Sequence, residues 1–437
     1  MDYSLHKLDI ASLNVMQQDM LRTVPRERQV VLLSPTGSGK TLAYLLPLLQ
    51  LLQADSDEVQ ALILVPSREL AQQTVSVARM LNADLRILAC YGGRAAMDEH
   101  RLMRAQCPHI LVGTPGRMLD HIGKENFSAD GIRTLVIDEF DKCLELGFHE
   151  QMRGILDALH RVERRILLSA TDCPQIPDFV PQGRPCRLDY LDDADAKDGR
   201  LHLYVLPSPE KDKLHTLYNL LCMLGAEQCM VFVNYRESVE RVGDYLRRMD
   251  VPAALFHGGM EQRDRERSLF RFSNGSACVL VTTDLASRGL DIADVRHIIH
   301  YHLPLNEEAF IHRNGRTARW DAEGAAYLIL GPEEHVPDFL AEKPERLVLP
   351  QRLPAPARPR WATVYIGKGR KDKINKVDIV GFLSKVGGLQ REQLGRVDVL
   401  PGWAYAAVDR RAVSELLKRV KGQKIKGVKT IFTLAEE

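Results

Sequence analysis

A glycine-rich loop between an apolar strand and an apolar helix constrains this chain more than any other stretch. Residues 30–33 form an apolar run, residues 34–41 read Ser-Pro-Thr-Gly-Ser-Gly-Lys-Thr, and residues 42–52 have a helical pattern. A strand, a glycine-rich loop and a helix in this order are typical of a phosphate-binding loop. Gly37 and Gly39 allow backbone N–H groups to turn toward an anion, and the helix N-terminus adds its positive dipole end.

Two side chains of this loop predict the chemistry of its ligand. Lys40 would place positive charge on the β- and γ-phosphates, and Thr41 would offer its hydroxyl to Mg²⁺. Ser34 stands where the strict eight-residue pattern has its first glycine, and a chance Gly/Ser-rich turn is the alternative interpretation. The predicted nucleotide-contacting residues of the loop are Pro35, Thr36, Gly37, Ser38, Gly39, Lys40 and Thr41.

Short apolar runs alternate with amphipathic segments on both sides of a polar, acidic stretch at residues 191–199. This alternation predicts an α/β fold of two doubly wound parallel-sheet lobes, with ligands at the carboxyl ends of the strands and in a cleft between the lobes. The predicted strands are 61–65, 86–90, 110–112, 135–138 and 166–169 in the first lobe, and 201–206, 230–233, 253–256, 278–282, 297–301 and 325–330 in the second.

A third, smaller unit is predicted beyond four prolines that lie between residues 350 and 359. Its segments have the order βαββαβ, which is typical of an α+β RRM-like domain. The predicted boundaries are therefore 1–190 for the first lobe, 200–345 for the second lobe, 346–360 for the linker and 361–437 for the RRM-like domain.

Charge is distributed unevenly along the 437 residues, although the net charge is only +1. Residues 361–437 contain 16 Lys and Arg against 8 Asp and Glu, a net +8, which leaves −7 for the remainder. This asymmetry indicates a tail that binds a polyanion. Eight cysteines without a CxxC pair, no signal-peptide pattern and no bilayer-length apolar run predict a cytoplasmic protein without a membrane partner.

Clustered carboxylates follow the predicted strand at 135–138, in the segment Asp138-Glu139-Phe140-Asp141. Downstream of a phosphate-binding loop, such a pair is expected to serve Mg²⁺ and water activation. Asp138 would hold the metal through water, and Glu139 would polarise the attacking water. A solvated strand end is the alternative when the segment is considered alone.

About ten motifs in order, through most of residues 1–340, resemble the DEAD-box RNA helicases of helicase superfamily 2. Residues 138–141 stand at the Asp-Glu-Ala-Asp of this family, from which Phe140 departs. Gln17 stands at the glutamine that reads adenine, although Leu13 and Asn14 replace its usual Pro-Thr prefix. The resemblance implies an RNA-stimulated ATPase that unwinds short RNA duplexes with ATP and Mg²⁺ as cofactors.

The resemblance also implies roles for the second lobe and for RNA contacts. Arg316 and Arg319 would contact the phosphates as arginine fingers, which contribute about 10³–10⁵ in rate, and Asp291 would contact the ribose. Asn314 and Ala318 depart from the Ile and Gly of the family pattern. Hydroxyls, Gly N–H groups and arginines at strand ends contact phosphates without reading sequence. The implied RNA-contacting residues of the lobes are Arg68, Gly93, Thr114, Arg117, Gln262, Arg265, Thr283 and Arg288.

Binding across two lobes predicts coupling between the ligands. If ATP and RNA each contact both lobes, each favours the closed arrangement and strengthens the other. The segment 169–171, Ser-Ala-Thr, resembles the family's link between hydrolysis and strand separation, whereas a helix cap is the alternative explanation for its two hydroxyls.

The tail resembles the RRM-like C-terminal domain of DbpA-type bacterial helicases, most clearly at residues 365–374 and 425–427. The resemblance implies structured ribosomal RNA as the target and ribosomal precursor particles as partners of a monomeric protein. Trp403 and Tyr405 either stack on bases, as in standard RRMs, or belong to the core. The predicted RNA-contacting residues of the tail are Lys368, Arg370, Lys371 and Lys373.

Two other classes of protein fit parts of the pattern. A DNA translocase would share the two-lobe scaffold, but Gln17 and the segment 114–117 argue against it. A non-catalytic RNA clamp would not need Lys40, Glu139 and Arg316, so their presence argues against this class. The histidines at 297, 300 and 302 do not predict a metal site, because they do not share one strand face and no Cys or carboxylate lies in the run.

Overall fold

The protein is described by a computed structural model that covers residues 5–8, 10, 12–35, 37–82, 84–93, 96–145, 147–171, 185–191, 201–284, 295–317, 323–340 and 343–435. It contains two compact units, which divide after residue 199. None of the described helices is long and apolar enough to cross a membrane. The predicted site residues Thr36, Arg288, Asp291 and Arg319, and Ala318 with them, lie outside the described residues.

The first unit is built on a seven-stranded parallel sheet in the order β3-β4-β2-β5-β6-β1-β7. Apolar side chains alternate between two core clusters, one on each face of the sheet, as the near-continuous apolar strands require. The strands are β1 Gln29–Leu33, β2 Ala61–Leu64, β3 Ile87–Cys90, β4 Ile110–Gly113, β5 Thr134–Ile137, β6 Arg164–Ser169 and β7 Cys186–Asp189. The helices are α1 Val15–Thr23, α2 Lys40–Gln50, α3 Arg68–Leu81, α4 Ala96–Gln106, α5 Pro115–Gly123, α6 Phe140–Glu145 and α7 His149–Ala158.

The second unit begins with a parallel sheet of the same connectivity, in the order β10-β11-β9-β12-β13-β8-β14. Each strand of this lobe therefore has a counterpart in the first lobe. The strands are β8 Leu201–Pro207, β9 Cys229–Phe232, β10 Ala253–Phe256, β11 Val279–Thr282, β12 His297–His300, β13 Gly324–Leu330 and β14 Glu345–Arg346. The helices are α8 Leu214–Leu224, α9 Arg236–Arg248, α10 Gln262–Ser273 and α11 Glu307–Asn314.

The second unit ends in a small domain with a four-stranded antiparallel sheet in the order β16-β17-β15-β20. Its core packs two helices against one face of the sheet. The elements are β15 Trp361–Ile366, α12 Lys376–Lys385, β16 Leu394–Val399, β17 Ala404–Asp409, α13 Val413–Val420, the hairpin β18 Lys424–Ile425 with β19 Val428–Lys429, and β20 Phe432–Leu434.

The predicted fold class is confirmed: two parallel α/β lobes precede a small α+β domain. The prediction missed the edge strands β7 and β14, which are short and pair in parallel with β1 and β8. Helix α13 begins at Val413, three residues after Arg410. The intervening residues form a turn in which the Arg411 N–H donates to the Asp409 carboxylate at 3.1 Å.

Candidate functional site: a phosphate loop, a carboxylate pair and basic surfaces

The phosphate loop is closed by its own side chains. The Ser34 hydroxyl lies 2.7 Å from the Ser38 hydroxyl, so the residue that departs from the glycine pattern bridges the two ends of the loop. Lys40 is the first residue of α2, and its ammonium donates to the carbonyl oxygens of Ser34 at 2.5 Å and Pro35 at 2.8 Å. The loop therefore holds the buried ammonium among its own backbone groups, beside N–H groups at a helix N-terminus.

Helix α1 is fastened to this loop by two amides. Asn14 caps α1, and its Nδ2 donates to the Ser38 carbonyl at 3.0 Å. The Gln17 Oε1 accepts from the Asn14 N–H at 3.0 Å, and its Nε2 donates to the Gly39 carbonyl at 3.4 Å. Asn14, which departs from the family's usual prefix, thus has a structural explanation. Adenine recognition by Gln17 stays a prediction.

Gly39→Ala is expected to weaken ATP binding at least tenfold. Gly39 has a φ of +91°, and a Cβ there would lie 2.5 Å from the Gln17 Nε2, so alanine adds strain of about 1–2 kcal/mol and displaces the glutamine amide. A fluorescent nucleotide titration measures the effect. Gly123→Ala is the matched control, because a Cβ at that position meets nothing within 4 Å. Equal nucleotide affinity in the two variants would contradict this explanation.

The carboxylate pair follows β5, which is separated from β1 by one strand in the sheet. Asp138 is buried, and burial raises its pKa to about 6 although the charge of Lys40 opposes the shift. The Glu139 N–H donates to the Asp138 carboxylate at 2.9 Å, and Glu139 has a φ of 49°. A left-handed conformation is strained in a residue other than glycine, and such strain clusters at functional sites.

Asp138→Asn is expected to raise the free energy of unfolding at pH 8 by about 3 kcal/mol. In the wild type the charged carboxylate is destabilised in the native state, because its pKa is raised to about 6 and each unit of the shift costs about 1.4 kcal/mol. The wild-type carboxyl contributes stability below its unfolded pKa and loses that contribution as the pH rises through about 6. The advantage of the variant should therefore be about half as large at pH 5. Urea unfolding at the two pH values measures this difference in the free energy of unfolding. A variant less stable than the wild type at pH 8 would contradict a raised pKa of Asp138.

The segment after β6 is joined to the carboxylate cluster. The Thr171 hydroxyl donates to the Asp141 carboxylate at 3.0 Å, and the Ser169 hydroxyl donates to the Thr171 carbonyl at 2.6 Å. A displacement of residues 138–141 would therefore be transmitted to residues 169–171 through one hydrogen bond. This contact was not predicted, because nothing in the sequence pairs these two strand ends.

The predicted RNA-contacting residues of the first lobe lie at the carboxyl ends of neighbouring strands. The Arg68 guanidinium packs on the turn formed by Gly92 and Gly93, where a Cβ on Gly93 would overlap it. Gly93 has a φ of +87°, which glycine adopts without strain. Thr114 caps α5, the helix that carries Arg117. The structure thus brings these residues to one edge of the sheet.

A buried glutamate connects two of these segments. Glu99 of α4 accepts from the Tyr91 N–H at 3.1 Å, lies 2.9 Å from the His121 Nε2 and lies 3.6 Å from the Arg117 Nε. The Asn126 amide meets the other nitrogen of His121 at 2.7 Å. Glu99 and His121 were missed by the sequence analysis, since neither belongs to a phosphate-contacting motif.

The predicted ligand-contacting residues of the second lobe are partly half-buried and partly buried. Gln262 begins α10, and Thr283 follows β11 directly. Arg265 is buried, with its guanidinium 5.0 Å from the centre of the Phe256 ring. Arg316, 4% exposed, lies just beyond the end of α11.

The first arginine of the segment 313–319 has a structural role. Arg313 is fully buried, and its guanidinium makes a two-point ion pair with Asp284 at 2.5 and 3.1 Å. It also donates to the Asn234 side chain at 2.8 Å. The phosphate-contacting role of Arg316 and Arg319 stays a prediction.

The three histidines of the β12 region have separate partners. His297 lies 2.8 Å from the Glu227 carboxylate, His300 lies 3.1 Å from the Asn314 side chain, and the His302 Nδ1 accepts from the Asn234 N–H. Burial lowers the pKa of His300 to about 3, so this imidazole is neutral. Asn314, which departs from the family's Ile, thus supplies a partner for a buried ring.

The small domain presents a basic surface, defined here by the exposed Arg370, Lys371 and Lys373 with the hairpin β18–β19. Lys368 begins this loop and pairs with Asp372 at 2.8 Å. Lys426 of the hairpin donates to the Lys373 carbonyl at 3.4 Å, which places the hairpin beside the loop. The basic loop and the basic hairpin therefore form one surface.

The combined variant Arg370→Ala/Lys371→Ala is expected to weaken binding of structured RNA by the full chain about tenfold. It should also reduce the salt slope of binding by about 1.4 to 1.8, because each lost phosphate contact accounts for about 0.7 in single strands and about 0.9 in B-form duplexes. Lys418→Ala is the control, because Lys418 is exposed on α13 outside the basic surface. Fluorescence anisotropy at several salt concentrations measures both quantities, and unchanged slopes would contradict the assignment.

The aromatic residues of the small domain lie on the other face of its sheet, which packs on α10. Tyr405 is 1% exposed and stacks on Phe270, with ring centres 5.2 Å apart. Arg263 lies over Tyr365 at 5.0 Å and over Trp403 at 5.3 Å. Of the two alternatives left open by the sequence, Tyr405 belongs to a domain contact and has no exposed ring for a base.

The comparison with known proteins agrees with this organisation. Residues 14–176 match the DEAD/DEAH box helicase family, residues 212–321 the helicase conserved C-terminal domain, and residues 363–433 the DbpA RNA binding domain. The chain is 34% identical over 436 residues to the ATP-dependent RNA helicase DbpA of Escherichia coli K12, across 97% of this chain and 94% of that protein. The chain belongs to the DEAD-box RNA helicases of the DbpA type.

Further relatives support the family and the fold. The DbpA of Bacillus subtilis 168 is 30% identical over 442 residues, across 94% of this chain and 92% of its own length. Saccharomyces cerevisiae Dbp5 bound to RNA and ADP BeF3 matches with a TM-score of 0.67 at 23% identity, covering 76% of this chain and 86% of its own. Mss116 bound to single-stranded RNA and UDP-BeF matches with a TM-score of 0.70 at 23% identity, covering 80% and 77%. At this identity the two structures establish the fold alone.

Proposed function

We propose that this DEAD-box helicase couples RNA-stimulated ATP hydrolysis to local unwinding of short RNA duplexes, and that its tail recruits structured ribosomal RNA during ribosome assembly. The observation that carries the proposal is the first lobe's combination of a closed phosphate loop with a buried, strained carboxylate pair. The charge of Lys40 lowers the pKa of Asp138 against the effect of burial, so the lysine of the phosphate loop lies near the carboxylate pair.

The residues present fit a Mg²⁺–ATP ligand. Hydroxyl and carboxylate oxygens are the ligands that Mg²⁺ prefers, and Thr41 and Asp138 supply one of each. The bound ion would neutralise phosphate charge. The loop N–H groups and Lys40 bind and orient the phosphates, and Glu139 polarises the attacking water. Arg316 and Arg319 stabilise the charge that develops on the transferred phosphoryl group.

RNA binding is assigned to backbone contacts of both lobes and to the basic surface of the tail. Contacts to phosphates position RNA without reading its sequence, so target choice is left to the tail. The named relatives and the match of residues 363–433 to the DbpA RNA binding domain support this division. We also propose that the protein acts as a monomer on ribosomal precursor particles in the cytoplasm.

A comparison of nucleic acids tests the proposed activity. The steady-state ATPase rate should rise with added ribosomal RNA fragments and should not rise with DNA of the same sequence. A strand-displacement assay on a short RNA duplex, with and without ATP, then tests unwinding. Equal stimulation by DNA would favour the DNA-translocase class, and no stimulation by either polymer would refute the proposed function.

A further inference from the structure

A buried glutamate, Glu99, joins two of the three segments that carry the predicted RNA contacts of the first lobe. Its Oε1 accepts from the N–H of Tyr91, the residue directly before the turn formed by Gly92 and Gly93, at 3.1 Å. Its Oε2 lies 3.6 Å from the Nε of Arg117 on α5. The two oxygens of one carboxylate therefore contact the glycine turn and the arginine of α5, which follow different strands of the sheet.

Tyr91 extends this connection to the third segment, the beginning of α3. Its side chain is fully buried, and its hydroxyl accepts a hydrogen bond from the Gln72 amide. Gln72 lies one turn after Arg68 on α3, and the Arg68 guanidinium packs on the glycine turn. All three segments with predicted RNA contacts are thus linked to the carboxylate of Glu99 directly or through Tyr91.

A negative charge at this edge opposes the binding of a phosphate backbone unless it has another role. The side chains of Glu99 and Arg117 are 4% and 12% exposed, so water screens their interaction only weakly. His121, fully buried, lies 2.9 Å from the Glu99 Oε2, and its other nitrogen lies 2.7 Å from the Asn126 amide. A buried carboxylate needs such partners, and the hydrogen bonds that it forms with them are strong and directional.

We infer that Glu99, anchored by His121, is a positioning residue that directs the Arg117 guanidinium and fixes the glycine turn for RNA binding. The inference rests on the proposed RNA-binding function of this edge. Glu99 does not contact RNA in this role. It holds the groups that do, so they are already placed when RNA arrives and less ordering is needed on binding.

Glu99→Gln in the full chain tests the inference, with single-stranded RNA as the probe. The amide oxygen can still accept from the Tyr91 N–H, but the charge beside Arg117 is lost. RNA affinity should fall about fivefold, a size typical of coupled residues in contact. Removal of a charge without a positioning role has the opposite sign, because RNA is a polyanion. Unchanged or tighter RNA binding by Glu99→Gln would therefore overturn the inference.

Asp98→Asn is the matched control for the loss of charge. Asp98 precedes Glu99 on α4, and its side chain is 68% exposed. Its neutralisation should leave RNA affinity equal to that of the wild type or slightly higher. Nucleotide affinity in the absence of RNA should be unchanged in both variants, which excludes unfolding as the cause of a weaker RNA complex.

A double-mutant cycle shows whether Glu99 acts through Arg117. Arg117→Ala should weaken RNA binding about tenfold and lower the salt slope by about 0.7, as expected for one lost phosphate contact. Adding Glu99→Gln to this variant should then have little further effect. Fully additive losses would overturn the inference while the proposed RNA-binding edge stands. An Arg117→Ala protein with wild-type RNA affinity would overturn both.

Two substitutions of His121 test the anchor without changing Glu99. Glutamine places an amide nitrogen near the position of the imidazole Nε2 and can still donate to the carboxylate, whereas asparagine reaches only as far as Nδ1. His121→Asn should therefore weaken RNA binding more than His121→Gln, with equal nucleotide affinity in the two variants. Equal RNA affinities would overturn the anchoring role of His121.

Discussion

Replacing Glu139 by Gln is expected to lower kcat for RNA-stimulated ATP hydrolysis by about 10²–10⁴ while leaving ATP and RNA affinities within about twofold. The amide keeps the size of the side chain but cannot polarise water as a base, and a positioned general base contributes a factor of this size. Glu139 is 9% exposed and has a left-handed backbone conformation, as strained residues at functional sites often do. Single-turnover hydrolysis and equilibrium titrations of the same preparation measure the two effects.

Glu150→Gln provides the matched control, because Glu150 is an exposed glutamate in the first turn of α7, away from the phosphate loop. Its turnover should equal that of the wild type. The Glu139 variant also discriminates between the enzyme and the non-catalytic RNA clamp. If the wild type itself shows no RNA-stimulated turnover, or if Glu139→Gln retains wild-type kcat, the role assigned to Glu139 is wrong.

Arg316→Ala is expected to reduce RNA-stimulated ATP hydrolysis by about 10³–10⁵, which is the contribution of an arginine finger to phosphoryl transfer. Arg316 is 4% exposed and lies directly after α11, in a segment whose first arginine is already paired with Asp284. The Asp284 ion pair is thus made by Arg313, and the Arg316 side chain is almost fully buried. Affinity for RNA in the absence of nucleotide should stay within about twofold.

Two further variants give this prediction its controls. Arg316→Lys keeps the charge but loses the planar fork, so its rate should fall between those of the wild type and the alanine variant. Arg296→Ala removes an exposed arginine that pairs with Glu227 at 3.2 Å, and its turnover should be unchanged. Melting temperatures of all variants exclude unfolding. An Arg316→Ala enzyme with wild-type kcat would remove Arg316 from the catalytic residues.

The sequence predicted the strands inside each parallel sheet, because these strands are buried on both faces and therefore appear as short, continuous apolar runs. It did not predict β7 and β14, since Cys186–Asp189 and Glu345–Arg346 have no apolar run and pair only because a neighbouring strand is available. Short edge strands are determined by tertiary contacts that no local pattern encodes.

The residues of the candidate site likewise divide into those that a local motif indicates and those that depend on tertiary contacts. Motif residues with fixed spacing, such as Lys40 and Glu139, could be proposed as site residues from the chain alone. Partners that come from other elements could not: the hydrogen bond from Thr171 to Asp141 and the carboxylate of Glu99 beside Arg117 depend on which strand ends are neighbours. The buried environment of Tyr405 likewise depends on α10, a helix far away in the sequence.

The proposed motor requires that ATP and RNA each strengthen the binding of the other. The direct measurement is RNA affinity with and without a non-hydrolysable ATP analogue. We predict that the analogue tightens RNA binding by about 5–150-fold, that RNA tightens analogue binding by the same factor, and that Arg316→Ala reduces both factors toward one. A wild-type protein that binds RNA equally well with and without the analogue would contradict the proposed coupling between ATP and RNA binding.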